Sequence, residues 1–438
     1  MARKMKDSGI EWIGDIPEDW EIAKLKYTSD SNIPHSFEDG DWIESKYISE
    51  DGIRYLTTGN IGDGEYKEQG SGYVSEENFK ILNCKYAYPN DLIFSRLNAP
   101  YGRSCLLPDN YNKYVVAVDN VILRPSNNYD KKFMNYLTQC RGYQKSVEDS
   151  ASGTTMQRIS RTKLGNIQLP FPIIETQKII SHILDKKTNQ IYGIRNTINK
   201  EIESLENYKK SLITEAVTKG LDKNVEMKDS GIEWIGQIPK KWKKIELRYL
   251  SNIVRGGSPR PISNYMSDED SDLNWIKIGD TEKGSKYINK TKNKLKISGL
   301  SSTTYVKKGE LILSNSMSYG EAYILNIDGC IHDGWLAFKE IKNVDQEYLY
   351  FSLLSSNTLA QFDMLCDGGV VQNLNIDKVK TVKIFIPNLD EQINIADYLN
   401  KKTKLIDQSI SLKQKQLQTL EEYKKSLIYE YVTGKKEV

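Results

Sequence analysis

Side chains that could carry catalysis are few in this sequence, and they are scattered. The three histidines, His35, His182 and His332, lie far apart, and none has a companion at metal-ligand spacing. Cys84, Cys105, Cys140, Cys330 and Cys366 form no Cys-x-x-Cys and are odd in number, so they read as reduced thiols rather than zinc ligands or a disulfide framework. No Gly-x-x-x-x-Gly-Lys-[Ser/Thr] phosphate loop and no Gly-x-Ser-x-Gly nucleophile elbow occurs. A DNA methyltransferase would need a polar-Pro-Pro-aromatic motif, and the chain has no Pro-Pro pair. Pro108-Asp109 is a weak start for a nuclease carboxylate set, with no Glu/Asp-x-Lys on a predicted neighbouring strand. The chemistry available is hydrogen bonding and packing, which is the chemistry of a binding protein.

The scaffold that must position such groups is built twice. Met5–Tyr27 (MKDSGIEWIGDIPEDWEIAKLKY) returns as Met227–Tyr249 (MKDSGIEWIGQIPKKWKKIELRY), and Met5–Gly14 is identical to Met227–Gly236. Trp12, Pro17, Trp20 and Leu25 recur as Trp234, Pro239, Trp242 and Leu247. Strand-like runs between turns follow each copy. In the first half they include Arg54–Asn60, Asp91–Arg96 and Val115–Arg124, and in the second Trp275–Asp280 and Glu310–Gly320. Helical patterns come next, Lys131–Gln144 and Glu347–Phe362, and then the loops Gly153–Ile159 and Gly368–Leu374.

From Glu175 to about Val217 the period is helical. Leu184, Ile191, Ile198, Leu205 and Leu212 recur every seventh residue, with Ile194, Ile202 and Tyr208 in the neighbouring seam, as a coiled coil requires. At about 1.5 Å per residue this predicts a rod of roughly 64 Å, and Gly220 stands at its stop. A second rod, about Asp390–Val432, carries Leu399, Ile406, Leu420 and Leu427 in the same column and repeats Tyr208-Lys-Lys-Ser-Leu-Ile from Tyr423. Lys413 interrupts that column. Each seam needs a partner and the chain supplies one, so the rods are expected to pair antiparallel. The expected order is a repeat segment (1–27), a globule (28–172), a helix (173–222), a second segment (223–249), a second globule (250–387) and a second helix (388–438).

Composition fits a globular protein of several domains, with 438 residues, 38% hydrophobic and 27% charged, and a mean hydropathy of −0.57. No apolar run reaches the ~18 residues of a membrane span. The basic residues of MARKMKDSGIEWIG have no apolar stretch behind them, so a secretory leader is not expected and the expected location is the cytoplasm. Lys and Arg total 61 against 59 Asp and Glu. A nucleic-acid partner must therefore meet local positive faces rather than a polycationic surface.

Gly-Ile-Glu-Trp-Ile-Gly-x-Ile-Pro-x-x-Trp with its mid-chain copy resembles the specificity subunits of type I restriction–modification systems. So do Arg255-Gly-Gly-Ser-Pro-Arg260 and the helix openings Glu175-Thr-Gln177 and Glu391-Gln392. The resemblance spans the whole chain. It implies an α/β (α+β) fold with two mixed α/β target-recognition domains, separated by two long antiparallel coiled-coil helices in a pseudo-two-fold repeat. It further implies that each domain reads one half of a split sequence in double-stranded DNA. The helices would hold two methyltransferase subunits, and two restriction–translocation subunits would join the full complex. S-adenosylmethionine, ATP and Mg²⁺ would belong to those partners and none to this chain. In the first globule Ser31-Asn-Ile-Pro-His-Ser occupies the region of the Gly-Gly-Ser-Pro motif.

Reading base edges needs amides and guanidinium groups on loops, Arg or Lys for guanine and Asn or Gln for adenine. The first-half candidates are Thr58, Asn60, Arg96, Asn98, Tyr101, Arg103, Thr154, Thr155, Gln157 and Arg158. Those of the second half are Arg255, Ser258, Arg260, Asn315, Ser316, Tyr319, Gln372 and Asn373. Trp12, Trp20, Trp234 and Trp242 belong to identical segments, whereas residues that read different half-sites must differ. They are assigned with the heptad residues to framework packing or to a shared partner surface. The Lys-Lys pairs at 209–210 and 424–425 suit either a solvated face or a phosphate contact. Two rivals remain: a coiled-coil scaffold that binds proteins, and a self-contained methyltransferase or nuclease.

Overall fold

The computed structural model describes residues 3–70, 72–151, 157–282, 284–316, 319–366 and 373–438. It divides into two units, Met1–Thr197 with Gln416–Val438, and Ile198–Lys415. Each unit therefore holds one globule and a part of both long helices.

Local turn chemistry accounts for the identical segments. In the first unit Met5–Asp7 pairs antiparallel with Asp15–Pro17. Asp7 Oδ1 accepts the Gly9 N–H, and Ser8 Oγ accepts that of Ile10. Gly9 and Gly14 have φ of 68° and 66°, conformations that suit glycine. In the second unit Met227–Asp229 pairs with Gln237–Pro239 in the same register, with Asp229 and Ser230 making the same bonds to Gly231 and Ile232.

The first globule contains a four-stranded antiparallel sheet, ordered Phe37–Asp39, Asn120–Leu123, Leu92–Ser95, Ser104–Leu106. A second sheet has Ile53–Leu56 between Tyr73–Val74 and a parallel Tyr114–Val116. The expected single strand Val115–Arg124 is thus two strands in different sheets, turned by Asn120 N–H donating to the Ala117 carbonyl. The expected helix Lys131–Gln144 is also two, Lys131–Leu137 and Arg141–Ser150. In the second unit one five-stranded sheet is ordered Asn252–Arg255, Trp335–Lys339, Leu311–Ser314, Ala322–Leu325, Tyr287–Ile288. Its first four members repeat the four-stranded sheet. The expected helix Glu347–Phe362 breaks at Ser355 into Gln346–Leu354 and Ser356–Leu365.

The two long helices, Ile174–Lys219 and Leu389–Val432, are uninterrupted. Gly220 ends the first with φ 77°, the left-handed stop that glycine favours. Within the second unit Glu201 meets Lys413 at 2.5 Å and Lys209 meets Asp407 at 2.7 Å. One residue number rises as the other falls, so the pairing is antiparallel. Lys413 breaks the apolar column and pairs with Glu201. Leu184, Ile191, Leu212, Leu399, Ile406 and Leu427 are buried, while Ile198, Leu205 and Leu420 are half-buried. Ile194 and Tyr208, expected in the seam, are exposed.

Gln177 and Gln392 join helix to globule. Gln177 Oε1 accepts the Asp130 N–H at 2.8 Å, and its amide donates to the Asn128 and Pro172 carbonyls. Gln392 does the same with Asp345 N–H and the Pro387 carbonyl. Asp130 and Asp345 in turn cap the first globule helix of each unit. Trp20 and Trp242 are buried, and the Trp242 indole N–H donates to Glu391 Oε1. Trp12 packs on Gly142 and Tyr429, whereas Trp234 is 48% exposed.

Candidate nucleic-acid interface

The described parts of the predicted loops meet at the end of the main sheet in each unit, on a shared backbone frame. In the first unit Arg96 N–H donates to the Asp119 carbonyl, Ile159 N–H to that of Arg96, and Leu97 bridges Arg158. In the second, Asn315 N–H donates to Gly334, Leu374 N–H to Asn315, and Ser316 bridges Asn373. A third segment enters each frame. Gly40 N–H donates to the Asn120 carbonyl and Asp41 N–H to Val116. In the second unit Gly256 N–H donates to Trp335 and Gly257 N–H to Ile331. The approach is so close that a Cβ on Gly40 would lie 2.1 Å from the Val116 oxygen, and one on Gly256 2.1 Å from that of His332.

This frame corrects the motif assignment in the first globule. The counterpart of Arg255-Gly-Gly-Ser258 is Asp39-Gly-Asp-Trp42, not the Ser31–Ser36 stretch. The latter lies ahead of strand Phe37–Asp39 as a turn around Asp30, whose carboxylate accepts the Asn32 N–H.

Side chains on the common frame differ sharply. In the first unit several candidates are spent on the fold. Arg96 is buried, with its guanidinium donating to the Val118 and Ile159 carbonyls and lying 3.1 Å from Asp39 Oδ1. Arg103 is buried and donates to the carbonyls of Ile61, Thr58 and Asn98. Burial pushes its pKa below the usual arginine value. Asn60 is buried, accepting from Thr57 N–H and donating to the Lys67 and Gln69 carbonyls. The half-buried Thr58 shares that turn, and buried Tyr101 donates its hydroxyl to Gln157. The exposed candidates are Asn98, Gln157 and Arg158. Arg158 is 63% exposed and lies 3.7 Å from Asp119. Arg161, absent from the predicted set, lies 3.8 Å from Asp39. Thr154 and Thr155 lie outside the described residues.

The second unit carries a different set, in which Asn315 and Asn373 stand at the places of Arg96 and Arg158. Arg255 and Arg260 are exposed, and Arg255 Nε donates to the Asp333 carbonyl. Ser258 Oγ donates to Asp333 Oδ1 at 2.8 Å, which holds the Asp333 carboxyl below its ordinary pKa. Asn315 is buried, Ser316 half-buried and Asn373 exposed. Tyr319 donates to Asp363, and Gln372 lies outside the described residues. His332 was not among the predicted residues. Its Nε2 is 3.1 Å from the Ile278 N–H and its Nδ1 2.7 Å from the Gly334 N–H. Burial lowers its pKa below the ordinary imidazole value.

Among the described residues no group of three or more His, Cys, Asp or Glu side chains is placed to hold a metal ion, and no helix is long and apolar enough to cross a membrane. What each site offers is a rigid backbone frame carrying interchangeable hydrogen-bonding groups.

Known proteins share this organisation. The chain is 28% identical over 437 residues to a putative type I restriction enzyme MjaX specificity subunit of Methanocaldococcus jannaschii, covering 97% of this chain and 95% of the relative. It is 25% identical to the type I restriction enzyme MjaVIII specificity subunit of the same organism, covering 96% and 93%. A solved chain from a study of complex assembly in a type I R-M system has the same fold, with a TM-score of 0.71 at 15% identity over 95% of this chain and 98% of that one. The profile of the type I restriction modification DNA specificity domain matches twice, over residues 17–204 and 239–422. Each match takes in one globule and part of the long helix that follows it, and the chain belongs to that family.

Proposed function

We propose that each globule reads one half of a bipartite double-stranded DNA target through the loop cluster at the end of its main sheet. As a type I specificity subunit the chain serves recognition and not catalysis. The observation that carries the proposal is the common frame with unlike side chains. Asp39, Arg96, Asp119, Arg158 and Arg161 stand in the first unit where Arg255, Asn315, Gly334, Asn373 and Ile376 stand in the second. A conserved presentation with exchanged donors and acceptors is what two readers of different half-sites require.

The long helices set the gap between half-sites and carry the docking surface for two methyltransferase subunits, with two restriction subunits completing the assembly. Tyr208 and Tyr423, at the same place in the repeated Tyr-Lys-Lys-Ser-Leu-Ile, are 54% and 52% exposed. Equal exposure at equal positions suits two identical partners. S-adenosylmethionine, ATP and Mg²⁺ are used by those partners in the cytoplasm.

The test is methylome sequencing of a host carrying this chain with its cognate methyltransferase. Exchanging residues 28–172 for another family member's first globule changes one half-site, and a change in both would sink the independent readers. Heptad insertions in Glu175–Val217 lengthen the spacer; an unaltered spacer removes the ruler.

A further inference from the structure

Trp42 has no role in the packing described above. It is 74% exposed, more than any other large hydrophobic side chain among the described residues. Single exposed apolar residues are common on protein surfaces, so exposure alone assigns nothing. Its setting does. The preceding residue is fixed from several sides: Asp41 N–H donates to Val116, its carbonyl accepts from Val118 N–H, and its carboxylate takes the Lys85 backbone N–H and pairs with the Lys85 ammonium at 2.8 Å. The indole therefore projects from an anchored backbone rather than a loose loop.

The shared frame also fixes what Trp42 corresponds to. Asp41 and Gly257 make matching hydrogen bonds, so Trp42 holds the place that Ser258 holds in the Arg-Gly-Gly-Ser-Pro-Arg loop of the second globule. The frame that bears it also bears the exposed Arg158 and the half-buried Arg161, whose guanidinium groups lie by Asp119 and Asp39. Arg96 and Arg103 are spent on backbone carbonyls, whereas the Trp42 indole stands exposed with Asn98, Gln157 and Arg158 among the described residues. An apolar plane on a frame that also carries cations is the chemistry that recognises stacked bases between phosphates.

We propose that Trp42 is a specificity-determining residue of the first globule, packing its indole as a wedge against a base step of the first half-site. This rests on the reading of that globule as a DNA reader. The experiment uses the full chain with its cognate methyltransferase and the target found by methylome sequencing. Duplexes carry 2-aminopurine at successive positions of either half-site. With the wild-type chain, fluorescence rises at one step of the first half-site. Trp42→Ala abolishes that rise and weakens binding roughly tenfold or more, on the scale of one lost base–aromatic contact, while Trp42→Phe restores part of both. Signals in the second half-site stay unchanged. Because the side chain is exposed, the variants should melt with the wild type, and the melting curve checks this. If the wild type prefers its bipartite target and Trp42→Ala matches it in affinity and fluorescence, this assignment alone falls. If the wild-type complex shows no target preference, the DNA-reader proposal falls and takes the assignment with it.

Discussion

The Lys209 ammonium donates to both carboxylate oxygens of Asp407, at 2.7 and 2.8 Å. Lys424, at the same place in the repeated Tyr-Lys-Lys-Ser-Leu-Ile, instead donates to the Tyr192 hydroxyl at 2.9 Å and lies over its ring. The first lysine of each pair thus joins the helices to one another rather than facing only solvent. The two joints differ in kind: one is an ion pair and the other a neutral acceptor with a ring face. Asp407→Asn should lower stability by about 0.5–1 kcal/mol at low salt, the range of a partly exposed pair, and by less at high salt. Tyr192→Phe keeps the ring and should show little salt dependence. Thermal unfolding at two ionic strengths measures both.

Arg96 and Arg158 both lie near Asp119 Oδ1, at 4.0 and 3.7 Å, yet they have opposite expectations. Arg158→Ala should leave the melting temperature near wild type, weaken binding to the target by about 1–3 kcal/mol and relax recognition of the first half-site. Arg96→Ala removes the buried partner of Asp39 and strands the Val118 carbonyl, and should destabilise the first globule by about 3 kcal/mol or more. Affinity titrations, beside melting curves, separate the two.

Gln177 is a structural clasp. Gln177→Ala leaves the Asp130 N–H and two carbonyls without their partner, at a cost of about 1–3 kcal/mol. Gln392→Ala should cost the second unit a similar amount. Glu175→Ala, on the same opening motif, should be within about 0.5 kcal/mol of wild type. Urea unfolding of the three variants gives the comparison.

Gly40 and Gly256 admit no side chain. Alanine at either position should cost about 1–3 kcal/mol through forced displacement of the facing carbonyl. Each should also relax recognition of one half-site, Gly40→Ala the first and Gly256→Ala the second. Methylation of targets altered in one half at a time would show which reader has failed; loss of both from one substitution would contradict independent frames.

His332 gives the second unit a pH dependence. Its folded pKa lies below the ordinary 6.5 because burial disfavours the imidazolium. The unfolded chain therefore takes up a proton that the folded ring resists. Stability from the neutral ring is fully present above about pH 6.5 and is lost as pH falls toward the lowered folded value. His332→Asn should flatten this part of the stability–pH curve. The corresponding residue of the first unit is Ala117, which cannot titrate.

The sequence alone determined the duplication, the two rods and the candidate loops. These rest on local causes: turn bonds within Met5–Gly14, a seven-residue apolar period and a left-handed glycine stop. Sequence also placed Gln157, Arg158, Arg255, Arg260 and Asn373 on loops, where the structure finds them exposed. Only the tertiary structure decided which polar groups remain free. Arg103 and Arg158 look alike in sequence, but the first is held by carbonyls of Ile61 and Thr58, whose approach depends on sheet closure between distant segments. The match of Gly40 with Gly256 was hidden because Ser31–Ser36 shifts the sequence while the backbone hydrogen bonds keep their register. Trp42 and His332 were missed for the same reason, since neither belongs to a local pattern and each acquires its surroundings from strands that meet only in the fold.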